Sequence, residues 1–101
     1  MLYLIAYDLN AEGQNYKAVT QAIESLAANE DDCCRIQQSV WIVWSELQSA
    51  HAVLEKLKPA MDYNDHCFVS AVTHDSDHVL GNSEEKRIRQ MKDHWGKIRF
   101  F

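Results

Sequence analysis

Cysteine is scarce in this chain and poorly spaced for cross-linking or for zinc. Cys33 and Cys34 are adjacent and Cys67 stands alone, which gives neither a C-x-x-C pair nor a paired secreted framework. The three thiols are read as small buried or half-buried groups. No apolar run approaches the roughly 20 residues that cross a bilayer, so no membrane association is expected. Met1 leads into a strand-like segment without a basic n-region or small-residue cleavage site, and a cytoplasmic protein is expected. Gly13 lies in no phosphate-binding fingerprint, and no Ser-His-Asp or Cys-His spacing supports a nucleophilic centre. Basic residues are few where most of the chain lies: residues 1–83 hold four Lys or Arg against twelve Asp or Glu. The formal charge of −5 works against tight non-specific polyanion binding, which relies on Lys and Arg neutralising phosphates. Residues 84–101 reverse the balance, with six basic residues against three acidic ones. Contact with a nucleic acid or an acidic partner is expected to favour that segment.

What is present suits one domain. The 101 residues are 47% hydrophobic and 25% charged, an ordinary globular balance with enough apolar surface for a core. Residues 2–8 alternate Leu2, Leu4 and Ala6 with Tyr3, Ile5 and Tyr7, predicting a strand apolar on both faces and therefore central in its sheet. Tyr16, Val19, Ile23 and Leu26 recur at helical spacing, predicting a helix over about 15–28 that stops in the acidic loop Asn29-Glu30-Asp31-Asp32. The stretch 33–45 is rich in β-branched and aromatic residues and is interrupted at Gln37-Gln38-Ser39, predicting a hairpin. Its second strand sets Val40, Ile42 and Trp44 against Trp41 and Val43. Ser49 is placed to cap a helix carrying Ala50, Val53, Leu54 and Leu57. Pro59 biases Lys58 away from helical geometry and should end it. After the turn Asp62-Tyr63-Asn64-Asp65, residues 66–73 read as a fourth strand.

The order β-α-β-β-α-β predicts an α+β ferredoxin-like sandwich, with two helices over one face of a four-stranded antiparallel sheet. The other face still carries apolar side chains, and such a face usually finds a partner. A homodimer is expected. Residues 1–73 form the core on this reading. Residues 74–101 add a loop over 74–82, a helix opened by Glu84 and Glu85 with Ile88, Met91 and Trp95 as its stripe, and a short terminal strand. That tail belongs to the same domain or to the dimer interface.

Tyr7-Asp8-Leu9 closing the first strand, Gln37-Gln38-Ser39-Val40-Trp41 at the hairpin, and the two intervening helices resemble the CRISPR-associated protein two family and its relative VapD. The resemblance covers roughly residues 1–73. It implies a ferredoxin-like homodimer of the antiviral-defence type that acts as a metal-dependent endoribonuclease or deoxyribonuclease. Asp8 matches the family aspartate that meets its symmetry mate, which implies a Mg²⁺ (or Mn²⁺) site shared across the interface. Ser39 matches a family serine placed to donate a hydrogen bond nearby. The family usually carries basic residues after that aspartate, whereas this chain has Asn10-Ala11-Glu12-Gly13-Gln14-Asn15 and then Lys17. The same fold also serves as a non-catalytic dimeric bridge, so an adaptor that binds protein or nucleic acid is the alternative.

Each candidate has a plainer reading beside it. Asp8 is either a metal-holding catalytic carboxylate or a strand-end side chain that accepts backbone N–H bonds. His66 with His74-Asp75-Ser76-Asp77-His78 contains ligand types but no recognised spacing, and is read as solvated loop. The three tryptophans are read as packing rather than base-stacking surfaces. Arg87, Arg89 and Lys92, with Lys86, Lys97 and Arg99 around them, are the candidate nucleic-acid contacts. Their plainer reading is a solvated helix face.

Overall fold

A computed structural model of the chain describes residues 1–9, 16–30, 32–72, 78–80 and 98–100. Its main body is α+β, with strands β1 (Leu2–Asp8), β2 (Cys33–Gln37), β3 (Val40–Trp44) and β4 (His66–Ala71) and helices α1 (Tyr16–Ser25) and α2 (Ala50–Leu57). The strands form one sheet in the order β2-β3-β1-β4, and every neighbouring pair is antiparallel. β1 lies inside the sheet, as its two apolar faces require. Tyr3, Ile5 and Tyr7 are buried on one side, and Leu4 and Ala6 are half-buried on the other.

The helices form where local chemistry favours them. α1 buries Val19 and Ile23, and α2 buries Val53 and Leu57, all set three or four residues apart so that each helix turns one stripe inward. Ser49 caps α2 as its position predicts, its Oγ accepting the Ala52 N–H at 3.0 Å. α2 ends at Leu57, as expected of a helix that runs into Pro59, but Lys58 departs from the expectation. Lys58 keeps helical angles, φ −52° and ψ −42°, and the chain tightens into a 3-10 turn over Lys58–Ala60 instead of leaving helical geometry. A tight helical turn tolerates proline at its first positions, where the missing N–H would have had no partner.

The two faces of the sheet are unequal. Tyr3, Ile5, Tyr7, Cys33, Trp41 and Val43 pack with Val19, Ile23, Val53 and Leu57 of the helices into the main core. On the opposite face a smaller cluster joins Leu2, Cys34 and Ile42, with Ile36, Trp44 and Val72 against it. The thiols are all free; Cys33 and Cys34 are buried and Cys67 is half-buried. Trp41 is buried and Trp44 half-buried, which bears out their reading as packing residues.

The tail departs from expectation in one respect. Residues 78–80, read as loop, form strand β5 (His78–Leu80), which pairs in parallel with β6 (Ile98–Phe100), the expected terminal strand. Three residues are too few for any periodicity to register, and their partner lies far along the chain. The expected C-terminal helix, with Arg87, Arg89 and Lys92, lies outside the described residues, as does Trp95. No described helix is long and apolar enough to cross a membrane.

Candidate functional site

Asp8 ends β1 with its side chain exposed. Side chains alternate along a strand, so Asp8 shares with Leu4 and Ala6 the face turned away from α1 and α2, while buried Tyr7 points toward those helices. The carboxylate thus stands at the rim of an apolar surface. β4 supplies its neighbour: the register pairs Tyr7 with Cys67 and Asp8 with His66. Directly opposed residues project to the same face with Cβ atoms about 4.5–5.5 Å apart. The exposed imidazole of His66 is therefore the nearest titratable group across the strand.

The hairpin turn closes the other side. The Ser39 carbonyl accepts the Tyr7 N–H at 3.1 Å, extending the β1–β3 ladder one step past Ala6–Val40. Ser39 is thereby held next to the residue that precedes Asp8. A shallow, open depression of about 560 Å³ lies over this end of the sheet, lined by Ala6, Asp8, Asp65, His66, Cys67 and Phe68, with Tyr7 at its edge.

The surrounding groups have other roles. Asp65 Oδ2 accepts the Asp62 N–H at 2.8 Å and so pins the turn before β4. Cys67 lies on the helix side of β4, and burial pushes its thiol up to about 11, which keeps it protonated and a poor metal ligand at neutral pH. Below Tyr7 the Trp41 indole N–H donates to the Tyr7 hydroxyl at 3.4 Å. The Arg35 guanidinium lies 5.3 Å from the Trp41 ring centre.

The structure thus brings two of the sequence-predicted residues, Asp8 and Ser39, to one end of the sheet. Arg87, Arg89 and Lys92 fall outside the described residues. His66, read from the sequence as part of a solvated polar cluster, is exposed and stands opposite Asp8 in the register. The signal was present only in the alignment of β1 against β4, two segments nearly sixty residues apart. An exposed carboxylate at a strand end has the right chemistry for Mg²⁺, which keeps several waters and needs only one or two carboxylates. Among the described residues no three His, Cys, Asp or Glu side chains are grouped so as to hold a metal ion. No protein-family model, curated protein or solved structure matches the chain. The likeness to the CRISPR-associated two and VapD proteins therefore rests on the quoted residues alone.

Proposed function

We propose that this protein is a ferredoxin-like homodimer of the CRISPR-associated two and VapD type, cytoplasmic, that hydrolyses phosphodiester bonds of RNA with a divalent metal at Asp8. The single observation that carries the reading is the exposure of Asp8 on the sheet face turned away from α1 and α2. Two chains meeting through that face would set the two carboxylates opposite each other. The strand order β2-β3-β1-β4 with both helices on one face is what a ferredoxin-like β-α-β-β-α-β chain produces, and it supports that assignment. A bound Mg²⁺ or Mn²⁺ would supply charge for an in-line displacement and an activated water. Asp8 holds the ion, and Ser39 at the adjacent turn donates a hydrogen bond to the phosphate. Arg87, Arg89 and Lys92 supply the cationic contacts that hold the strand, a role suited to the basic C-terminal segment.

A dimeric adaptor with the same packing is the second reading. One observation favours it: among the described residues no Lys or Arg lines the depression. The deciding experiment compares wild type with Asp8→Asn on labelled single-stranded RNA and duplex DNA, with Mg²⁺, with Mn²⁺ and with chelator. The enzyme reading expects metal-dependent RNA cleavage that Asp8→Asn removes. Equal cleavage by both proteins, or none by either, rejects it and leaves the adaptor.

A further inference from the structure

β4 lies at the edge of the sheet, with β1 as its neighbour. The Val72 N–H donates to the Leu2 carbonyl at 2.8 Å, and in the same register Leu4 meets Ser70, Ala6 meets Phe68 and Asp8 meets His66. Hydrogen bonding alternates along an antiparallel pair. These residues therefore turn their backbone groups to β1, and the N–H and C=O of Cys67, Val69 and Ala71 turn outward. Among the described residues none of these outward groups has a hydrogen-bond partner. The β4 register is unbroken, and the strand holds no proline, Lys, Arg, Asp or Glu. Bulges, prolines and charges are the devices that keep an exposed edge from pairing. The opposite edge, β2, has two of them: its register shifts between Arg35 and Gln37, and Arg35 is charged and exposed.

The β4 edge also has a depression on each side. The 560 Å³ depression, with Phe68 in its lining, lies toward the face turned away from the helices. Another of about 350 Å³ lies beside α2, lined by Leu54, Met61 and Tyr63 among others. Cys67 and Asp65 line both. Successive side chains of a strand point to opposite sides, so neighbouring residues of an added strand enter the two depressions in turn. The turn before β4 contributes negative charge through Asp62, which is exposed, and Asp65, which is half-buried. Lys58, which also lines the second depression, is paired with Glu55 at 3.2 Å.

We infer that the β4 edge binds an extended peptide segment of another protein, paired backbone to backbone with Cys67, Val69 and Ala71. Main-chain bonds supply affinity and the two depressions supply selectivity. The segment is apolar where it faces Leu54 and Met61 and cationic where it meets the Asp62–Asp65 turn. The inference holds whether or not Asp8 carries a metal.

The probe is a fluorescein-labelled peptide of alternating Thr and Val with Arg at its C-terminal end, titrated with the full chain and followed by anisotropy. An antiparallel strand brings that end to the start of β4. Two further peptides carry N-methyl groups on one or the other set of alternate amides. The unmodified peptide is expected to bind, one methylated peptide to lose about tenfold or more as its edge-facing hydrogen bonds are removed, and the other to stay within about twofold. Asp62→Lys should weaken binding about two- to fivefold, the size of an exposed ion pair. Amide hydrogen exchange at Cys67, Val69 and Ala71 should be fast in the chain alone and slowed by the peptide. No anisotropy change, or equal losses from both methylated peptides, overturns the inference. Asp62→Lys binding like wild type overturns the cationic position. Protection of the three amides in the chain alone that vanishes on dilution puts a second copy on the edge and overturns the choice of a foreign segment.

Discussion

The two faces of the four-stranded sheet are built from similar residues but do different things. On the covered face Tyr3, Ile5, Trp41 and Val43 meet the helix residues Val19, Ile23, Val53 and Leu57, and the side chains are buried against one another. On the other face Leu2, Cys34 and Ile42 are buried, but toward Asp8 the surface opens: Leu4, Ala6 and Val40 are half-buried and Phe68 is 64% exposed. An apolar residue left in water contributes nothing from the hydrophobic effect until something covers it. Asp8 and His66 stand at the rim of this second face. The covered face holds the fold together, and the other face is where the proposed site is placed.

Substitutions on the two faces should separate these roles. Leu57 is fully buried under the sheet, and Leu57→Ala should cost about 2–5 kcal/mol by removing buried methyl groups and leaving a cavity. Denaturant melts measure this; a loss below about 1 kcal/mol would mean that the helix packs less closely than described. Ser49→Ala removes the cap from α2 and should cost about 1 kcal/mol, readable in the same melts. An unchanged midpoint would show that the cap is dispensable. Leu4→Ala on the open face should cost less than Leu57→Ala, because Leu4 is only half-buried, and equal losses would erase the distinction between the faces.

A separate expected effect is a pH dependence. Burial raises the folded Cys67 thiol from 9.0 to about 11, so the unfolded chain releases this proton first. The resulting stability is complete below pH 9 and is lost as pH rises toward about 11, where the folded thiol also ionises. Cys67→Ala should flatten this part of the profile of melting temperature against pH. Parallel profiles for variant and wild type across that window would contradict it.

What the sequence disclosed divides along the same line as the faces. Local and periodic features were legible: the doubly apolar β1, the stripe of α1, the hairpin break at Gln37-Gln38-Ser39 and the Ser49 cap each depend on residues within a few positions. Even the interior place of β1 followed from its composition. The pairing of Asp8 with His66 was not legible, because register between distant strands is set by packing of the whole sheet rather than by either segment. β5 escaped for a related reason, being three residues long with its partner near the end of the chain. The end of α2 at Leu57 before Pro59 was legible, but the helical angles of Lys58 were not, since a 3-10 turn accommodates the proline without leaving helical geometry. For the candidate site, Asp8 and the Ser39 turn were named from the sequence and lie at one end of the sheet, whereas the place of His66 opposite Asp8 shows only in the structure.

Light scattering of wild type and Phe68→Asp over a range of concentrations tests the role of the open face most directly. Covering that face with a second copy predicts a wild-type mass of twice the 11.7 kDa chain. It also predicts a single-chain mass for Phe68→Asp with the secondary structure intact, because a charge at an exposed position disturbs the interface and not the core. A wild-type protein of single-chain mass at every concentration, or a Phe68→Asp dimer as stable as wild type, would contradict it.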